Sequence, residues 1–347
     1  MYLFLISSPL HYLYSLATIQ KMNLNESLIL WFGNKPITNY ELGNFAPEVR
    51  LIDLHEYKLL NWSSYKKKYS ELSKIIQNID NVDFLFTCYD STFEFEIIKN
   101  KFSIDWDNIG LIEDGIANYY KVSMPSSYFR KLSKSILNFF QNGFFFNMSR
   151  YNLGGNPKIS AIATIDPKLI YLHKKSKSDV IDIYDDFKLI LDNINLKIPE
   201  LYFRSEVIFF LVPIFSLNRM NEDELTAYLK YILSINEISK YDKILLKPHP
   251  REDLKRLDYL IKSRFSDKIV LAGIEPIEIY LKYINFDVIL GLPSTAMINY
   301  YILNKNKSTK FILTPVHWKH NRGPFSEKIN IFKKIIKDRL TIEEYSY

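Results

Sequence analysis

Apolar residues in this chain come in short runs separated by longer amphipathic stretches. Runs of four to eight apolar residues bounded by polar turns predict buried strands. In the first half they fall at 2–6, 27–32, 49–54, 83–88, 108–114 and 160–165. Residues 63–79 carry charge on one side and Leu and Ile on the other, which predicts a helix. Ser7, Ser8 and Pro9 break the first apolar run, and Pro9 suits the first turn of a following helix. Strands and helices alternating in this way describe α/β layers around a parallel sheet.

The alternation restarts at 206–215, a long apolar run that predicts a buried strand. A helix is predicted over 221–235, with acidic residues in its first turn as the helix dipole favours. Further strands are predicted at 243–248, 268–273, 287–292 and 309–314. Residues 171–204 are mixed in charge and lack strong periodicity. They are the expected inter-domain region between domains at 1–170 and 205–347. The fold class is therefore α/β, with two Rossmann-like domains expected to face each other across a cleft. Ligands of such sheets bind outside the carboxyl ends of the strands.

Charge and composition narrow the partners. A net charge of +6 over 347 residues suits an anionic ligand or membrane surface. It is too small to imply nucleic acid, and no zinc-finger spacing, ribonucleoprotein signature or long basic run is present. The single cysteine, Cys88, excludes an intramolecular disulfide. The apolar N-terminal stretch lacks a basic leader and is too short to span a bilayer, so a cytoplasmic location is expected. Residues 127–150 are basic and aromatic; they suit either peripheral contact with the inner membrane face or a cover over the cleft. No Walker A, GxSxG or GxGxxG run occurs, which argues against P-loop ATPases, α/β-hydrolases and dinucleotide dehydrogenases. His317 and His320 are spaced i, i+3 but lack an acidic partner, so no metal site is expected.

Three motifs fall at predicted strand ends. In Lys247-Pro248-His249-Pro250-Arg251 two prolines stiffen a turn that holds an imidazole between cations, a combination suited to a phosphate. The alternative is a capping histidine. Glu113-Asp114-Gly115 closes another strand; adjacent carboxylates raise one another's proton affinity and suit a general base, or else form an ordinary Asp-Gly turn. Ser294 and Thr295 precede a helical run, where hydroxyls and free N–H groups cap the helix and form a ready anion site. Between these motifs, Glu275 and Glu278 are candidates to hold ribose hydroxyls. Ser8 and His11 follow the first strand and are candidates to line the cleft.

The order and spacing of these motifs resemble the bacterial sialyltransferase and polysialyltransferase group of the two-Rossmann, glycosyltransferase B (GT-B) architecture. The opening FLISSPLHYLYSLATI is similar to the start of that group. The resemblance implies an inverting, metal-independent transferase that moves sialic acid from CMP-Neu5Ac to a hydroxyl of a capsule or lipooligosaccharide glycan. It implies no cofactor beyond the CMP-sugar donor. By the same resemblance Glu113 would be the general base, with Asp114 the alternative. His249 would bind the leaving-group phosphate, and Lys247 and Pro250 would shape the cytidine pocket. Glu278 would hold the ribose, and Ser294 and Thr295 would bind the phosphate. Pro248 stands where some relatives carry Gly, and Ser-Thr stands where some carry Ser-Ser; neither change removes a needed group. Another CMP-activated nonulosonic acid or Kdo, a UDP- or GDP-sugar donor, and a glycan-assembly protein with a decayed nucleotide site are the alternatives.

Overall fold

The computed structural model describes residues 1–32, 48–52, 62–90, 92–119, 156, 158–170, 178–194, 198–314 and 325–343. The predicted strand end at 53–54, the basic-aromatic segment 127–150, and His317 and His320 lie outside them. Two compact units are present, Met1–Leu196 and Lys197–Tyr347.

The first unit is built on seven parallel strands: β1 (Tyr2–Ile6), β2 (Ser27–Phe32), β3 (Glu48–Ile52), β4 (Phe84–Thr87), β5 (Ile109–Ile112), β6 (Ala161–Thr164) and β7 (Asp179–Asp182). Their order is β3-β2-β1-β4-β5-β6-β7. Strands flanked on both faces read as unbroken apolar runs, and Leu3, Phe4, Ile29, Leu30, Leu85, Phe86, Leu111 and Ile112 are fully buried. Helix α1 (Pro9–Met22) starts on Ser8, whose side chain caps the His11 N–H. The order reverses between β1 and β4, which opens a crevice at their carboxyl ends.

The second unit repeats the plan with six parallel strands: β8 (Val207–Phe210), β9 (Ile244–Lys247), β10 (Ile269–Leu271), β11 (Val288–Gly291), β12 (Lys310–Leu313) and β13 (Leu340–Ile342). Their order is β10-β9-β8-β11-β12-β13, so the switch point lies between β8 and β11. Gly291 is required there. Its φ is +145°, and a Cβ would meet the Phe210 carbonyl oxygen at 2.5 Å.

Two sequence expectations change. The run 206–215 yields a four-residue strand, because Pro213 cannot donate to a ladder and the amides of Ile214, Phe215 and Ser216 turn to the carboxylate of Glu252 instead. The expected inter-domain region 171–204 is structured where it is described. β7 pairs with β6, and the helix Tyr184–Asn193 packs Phe187 against Tyr14 of α1, with ring centroids 5.0 Å apart. The division between the two compact units falls at 196/197. The edge strand is only four residues with an aspartate at each end, so it leaves little hydrophobic pattern to read. No helix among the described residues is long and apolar enough to cross a membrane.

Candidate active site

The carboxyl end of the first sheet gathers Ser8 and His11 after β1, Tyr89 after β4, and Glu113, Asp114 and Gly115 after β5. Gly115 turns the chain with φ of +65°, a conformation glycine reaches without strain. The two carboxylates just before this turn meet different environments.

Glu113 points into the interior and is fully buried. One oxygen accepts from the Tyr119 hydroxyl, and the other from Thr164 Oγ1 at 2.5 Å and the Ile165 N–H at 3.0 Å. Burial pushes its carboxyl up to about 7, although these hydrogen bonds oppose the rise. The side chain ties the end of β5 to that of β6, and its donors occupy both oxygens.

Asp114 is partly exposed, with 21% of its side chain accessible. Its Oδ1 accepts from His11 Nε2 at 2.7 Å and from the Tyr89 hydroxyl at 3.1 Å. Its backbone N–H donates to Asn118 Oδ1 at 2.8 Å. Burial, and then the Asp114 charge, raise the Tyr89 phenol so that it keeps its proton and donates. His11 is 2% exposed, and its Nδ1 has no hydrogen-bond partner. Of the two carboxylates Asp114 is the one with exposed surface, whereas Glu113 is closed off. Ser8 caps α1 through its Oγ, at 3.2 Å from the His11 N–H.

At the carboxyl end of the second sheet, Lys247 ends β9 and is buried. Its ammonium donates to the Gly273 carbonyl after β10. Burial brings it down to about 8, against the favourable charges of Glu275 and Glu278. Glu275 accepts from the Tyr202 hydroxyl at 2.7 Å, and Glu278 lies half-buried in the turn Ile277–Ile279. Beside them a cavity of about 350 Å³ is lined by Leu254, Lys255, Asp258, Leu271, Ala272 and Gly273.

His249 follows β9, partly exposed, with Pro248 buried and Pro250 exposed on either side. Its Nδ1 accepts the Arg251 N–H at 3.1 Å. That bond places the imidazole proton on Nε2, which is left to donate outward. Burial and then the Arg251 charge bring His249 down to about 4, with smaller lowering from Arg219 and Lys247. The ring is thus neutral at physiological pH and surrounded by cations. Glu252 anchors the turn. It accepts the N–H groups of Phe215 and Asp253 at 3.0 and 2.9 Å, those of Ile214 and Ser216, and its own N–H donates to the His249 carbonyl. Ser294 caps the helix Thr295–Leu303. It rises from β11, one strand beyond the neighbour of β9, about 10 Å away by strand spacing.

The sequence motifs thus collect at two sheet ends, one in each unit. Sequence reading passed over Tyr89, Tyr119, Thr164, Arg219 and Glu252. Only Tyr89 and Glu252 left a signal, the first at a strand end and the second beside the His-Pro motif. Among the described residues no group of three His, Cys, Asp or Glu side chains is arranged to hold a metal ion.

Two parallel-sheet domains with this strand order, each with polar groups at its switch point, define the GT-B glycosyltransferase fold. Two solved structures share it. The Arabidopsis thaliana glycosyltransferase UGT89C1 complexed with UDP aligns with TM-score 0.50 at 11% identity, over 99% of this chain and 86% of its own. Its complex with UDP-L-rhamnose aligns with TM-score 0.50 at 9% identity, over 99% and 85%. MurG of Acinetobacter baumannii aligns with TM-score 0.43 at 10% identity, over 99% and 85%. No curated protein matches the chain in sequence. The sequence profile of the alpha-2,8-polysialyltransferase family matches residues 2–312, and the chain belongs to that family.

Proposed function

We propose that the protein is an inverting sialyltransferase that uses CMP-sialic acid and a hydroxyl of a bacterial surface glycan. The observation that carries the reading is the division of labour between the two carboxylates of the Glu-Asp-Gly turn. Glu113 is closed off, and Asp114 is aimed and open. Asp114 acts as the general base through Oδ2: it takes the acceptor hydroxyl proton as that oxygen attacks the anomeric carbon. The bond from that carbon to the phosphate oxygen breaks, and CMP leaves with the electron pair. A single displacement from the opposite face inverts the centre.

His249 Nε2–H donates to the departing phosphate, and Arg251, Arg219 and Lys247 supply positive field. Ser294 and Thr295, at the start of their helix, offer further donors to the same group. These groups can neutralise a monophosphate leaving group without a divalent cation. The ribose lies against Glu278, and Lys247 and Pro250 border the nucleoside. Family membership supports a sialic acid as the transferred sugar.

The test is CMP release from CMP-Neu5Ac, with EDTA present, over a panel of galactoside and sialoside acceptors. Acceptor-stimulated release is expected, and a sialoside requirement would mark chain extension. Binding of UDP or GDP in preference to CMP overturns the donor assignment.

A further inference from the structure

We propose that His11 is a positioning residue for Asp114: together with Tyr89 it holds Oδ1 and thereby aims Oδ2 at the acceptor hydroxyl. The proposal rests on the reading of Asp114 as the base.

The geometry is specific. His11 sits in the first turn of α1, fixed from below by the Ser8 cap on its N–H and by Pro9 at the helix start. Its ring meets that of Tyr89 edge-on, with centroids 5.7 Å apart and planes at 80°. Both side chains donate to the same carboxylate oxygen, while Asn118 fixes the Asp114 backbone from the other side. A carboxylate with one oxygen held by two donors loses its freedom to rotate, and the second oxygen points one way. The donors come from α1 and the segment after β4, the two elements that flank the switch point.

The His11 ring makes one polar contact, from Nε2 to Asp114 Oδ1, and its Nδ1 has no hydrogen-bond partner, so its whole polar reach is spent on the carboxylate. Among the described residues, Cys88 and Tyr89 after β4 feel the Asp114 charge, Glu113 stands beside it in the chain, and Tyr119 and Asp166 act on Glu113. Burial and a neighbouring negative charge raise Cys88 and both tyrosines, so these three stay protonated. Burial also raises Glu113 to about 7, and E113Q removes it from the profile.

The experiment compares His11→Phe, which keeps the ring volume without the donor, with His11→Gln, whose amide restores one. Both are made in the full chain, in wild-type and E113Q backgrounds. In His11→Phe, kcat should fall about tenfold, and the acid limb of kcat/KM should move up by about one pH unit, because the ionised carboxylate loses a charge-assisted hydrogen bond. The KM for donor should be unchanged, and His11→Gln should recover most of the loss. A folded His11→Phe with wild-type kcat and acid limb overturns the proposal, as does a His11→Gln no better than the Phe variant. Should His11→Phe fail to fold, Tyr89→Phe removes the second donor to the same oxygen. An upward move of the acid limb is then expected, and a static limb overturns the proposal. Asp114→Asn separates the two claims: full activity there removes the base assignment itself, whereas an inactive Asp114→Asn beside an unaffected His11→Phe removes only the role of His11.

Discussion

Replacing Glu113 by glutamine separates structure from catalysis at the Glu-Asp-Gly turn. An amide fits the site: its oxygen can take Thr164 and the Ile165 N–H, while its nitrogen donates to Tyr119, whose hydroxyl can rotate to accept. The fold should survive. What is lost is a titration. Burial moves the Glu113 carboxyl from 4.5 to about 7, an interval worth roughly 3 kcal/mol. The folded state holds this proton more tightly than the unfolded state. The associated stability is therefore complete below pH 4.5 and is lost as pH rises to 7. Glu113→Gln should match the wild type near pH 5 and exceed it near pH 8 by up to that amount. Urea unfolding followed by tryptophan fluorescence draws mainly on the first unit, which contains Trp31, Trp62 and Trp106, with Trp318 in the second. Parallel stability curves for the two proteins would refute the reasoning. Activity supplies the second arm: Glu113→Gln should stay within about tenfold of wild-type kcat, while Asp114→Asn loses about 10²–10⁴-fold. A folded Glu113→Gln as inactive as Asp114→Asn would make Glu113 the base.

Three further outcomes are expected. Gly291→Ala forces a Cβ to within 2.5 Å of the Phe210 carbonyl oxygen at a φ of +145°; it should destabilise the second unit by about 2 kcal/mol or more, read as a lower urea midpoint. Glu252→Gln places an amide among the N–H donors of residues 214–216, leaving at least one buried N–H unpaired at about 1–3 kcal/mol; those amides should exchange faster with deuterium, and unchanged protection would contradict the anchoring role. His249, held near 4 by burial and neighbouring cations, is neutral across the useful range. Calorimetric binding of a phosphodiester CMP-sugar analogue should thus be flat between about pH 5.5 and 7, below the range where Lys247 loses its charge, without the break near 6.5 of an ordinary histidine.

Much of this protein is legible in local pattern. Buried parallel strands are continuous apolar runs, so β1, β2, β4, β5, β9, β11 and β12 follow from hydrophobicity alone. The motifs that end them, Glu113-Asp114-Gly115, Lys247 to Arg251, and Ser294-Thr295, mark the sheet ends because polar groups are tolerated where strands emerge. Short or interrupted elements escape: β7 is too brief and too charged at its ends, and β8 stops where Pro213 removes a donor and Glu252, 38 residues from Ile214, collects the amides. Tertiary structure alone decided which carboxylate is closed and which is open. Adjacent residues at a strand end share a composition but point to opposite sides of the extended backbone. Their partners, His11 and Tyr89 for Asp114 and Thr164 for Glu113, lie 103, 25 and 51 residues away. No local reading joins groups at such separations. Parallel strands do, because each crossover returns the chain to the same end of the sheet.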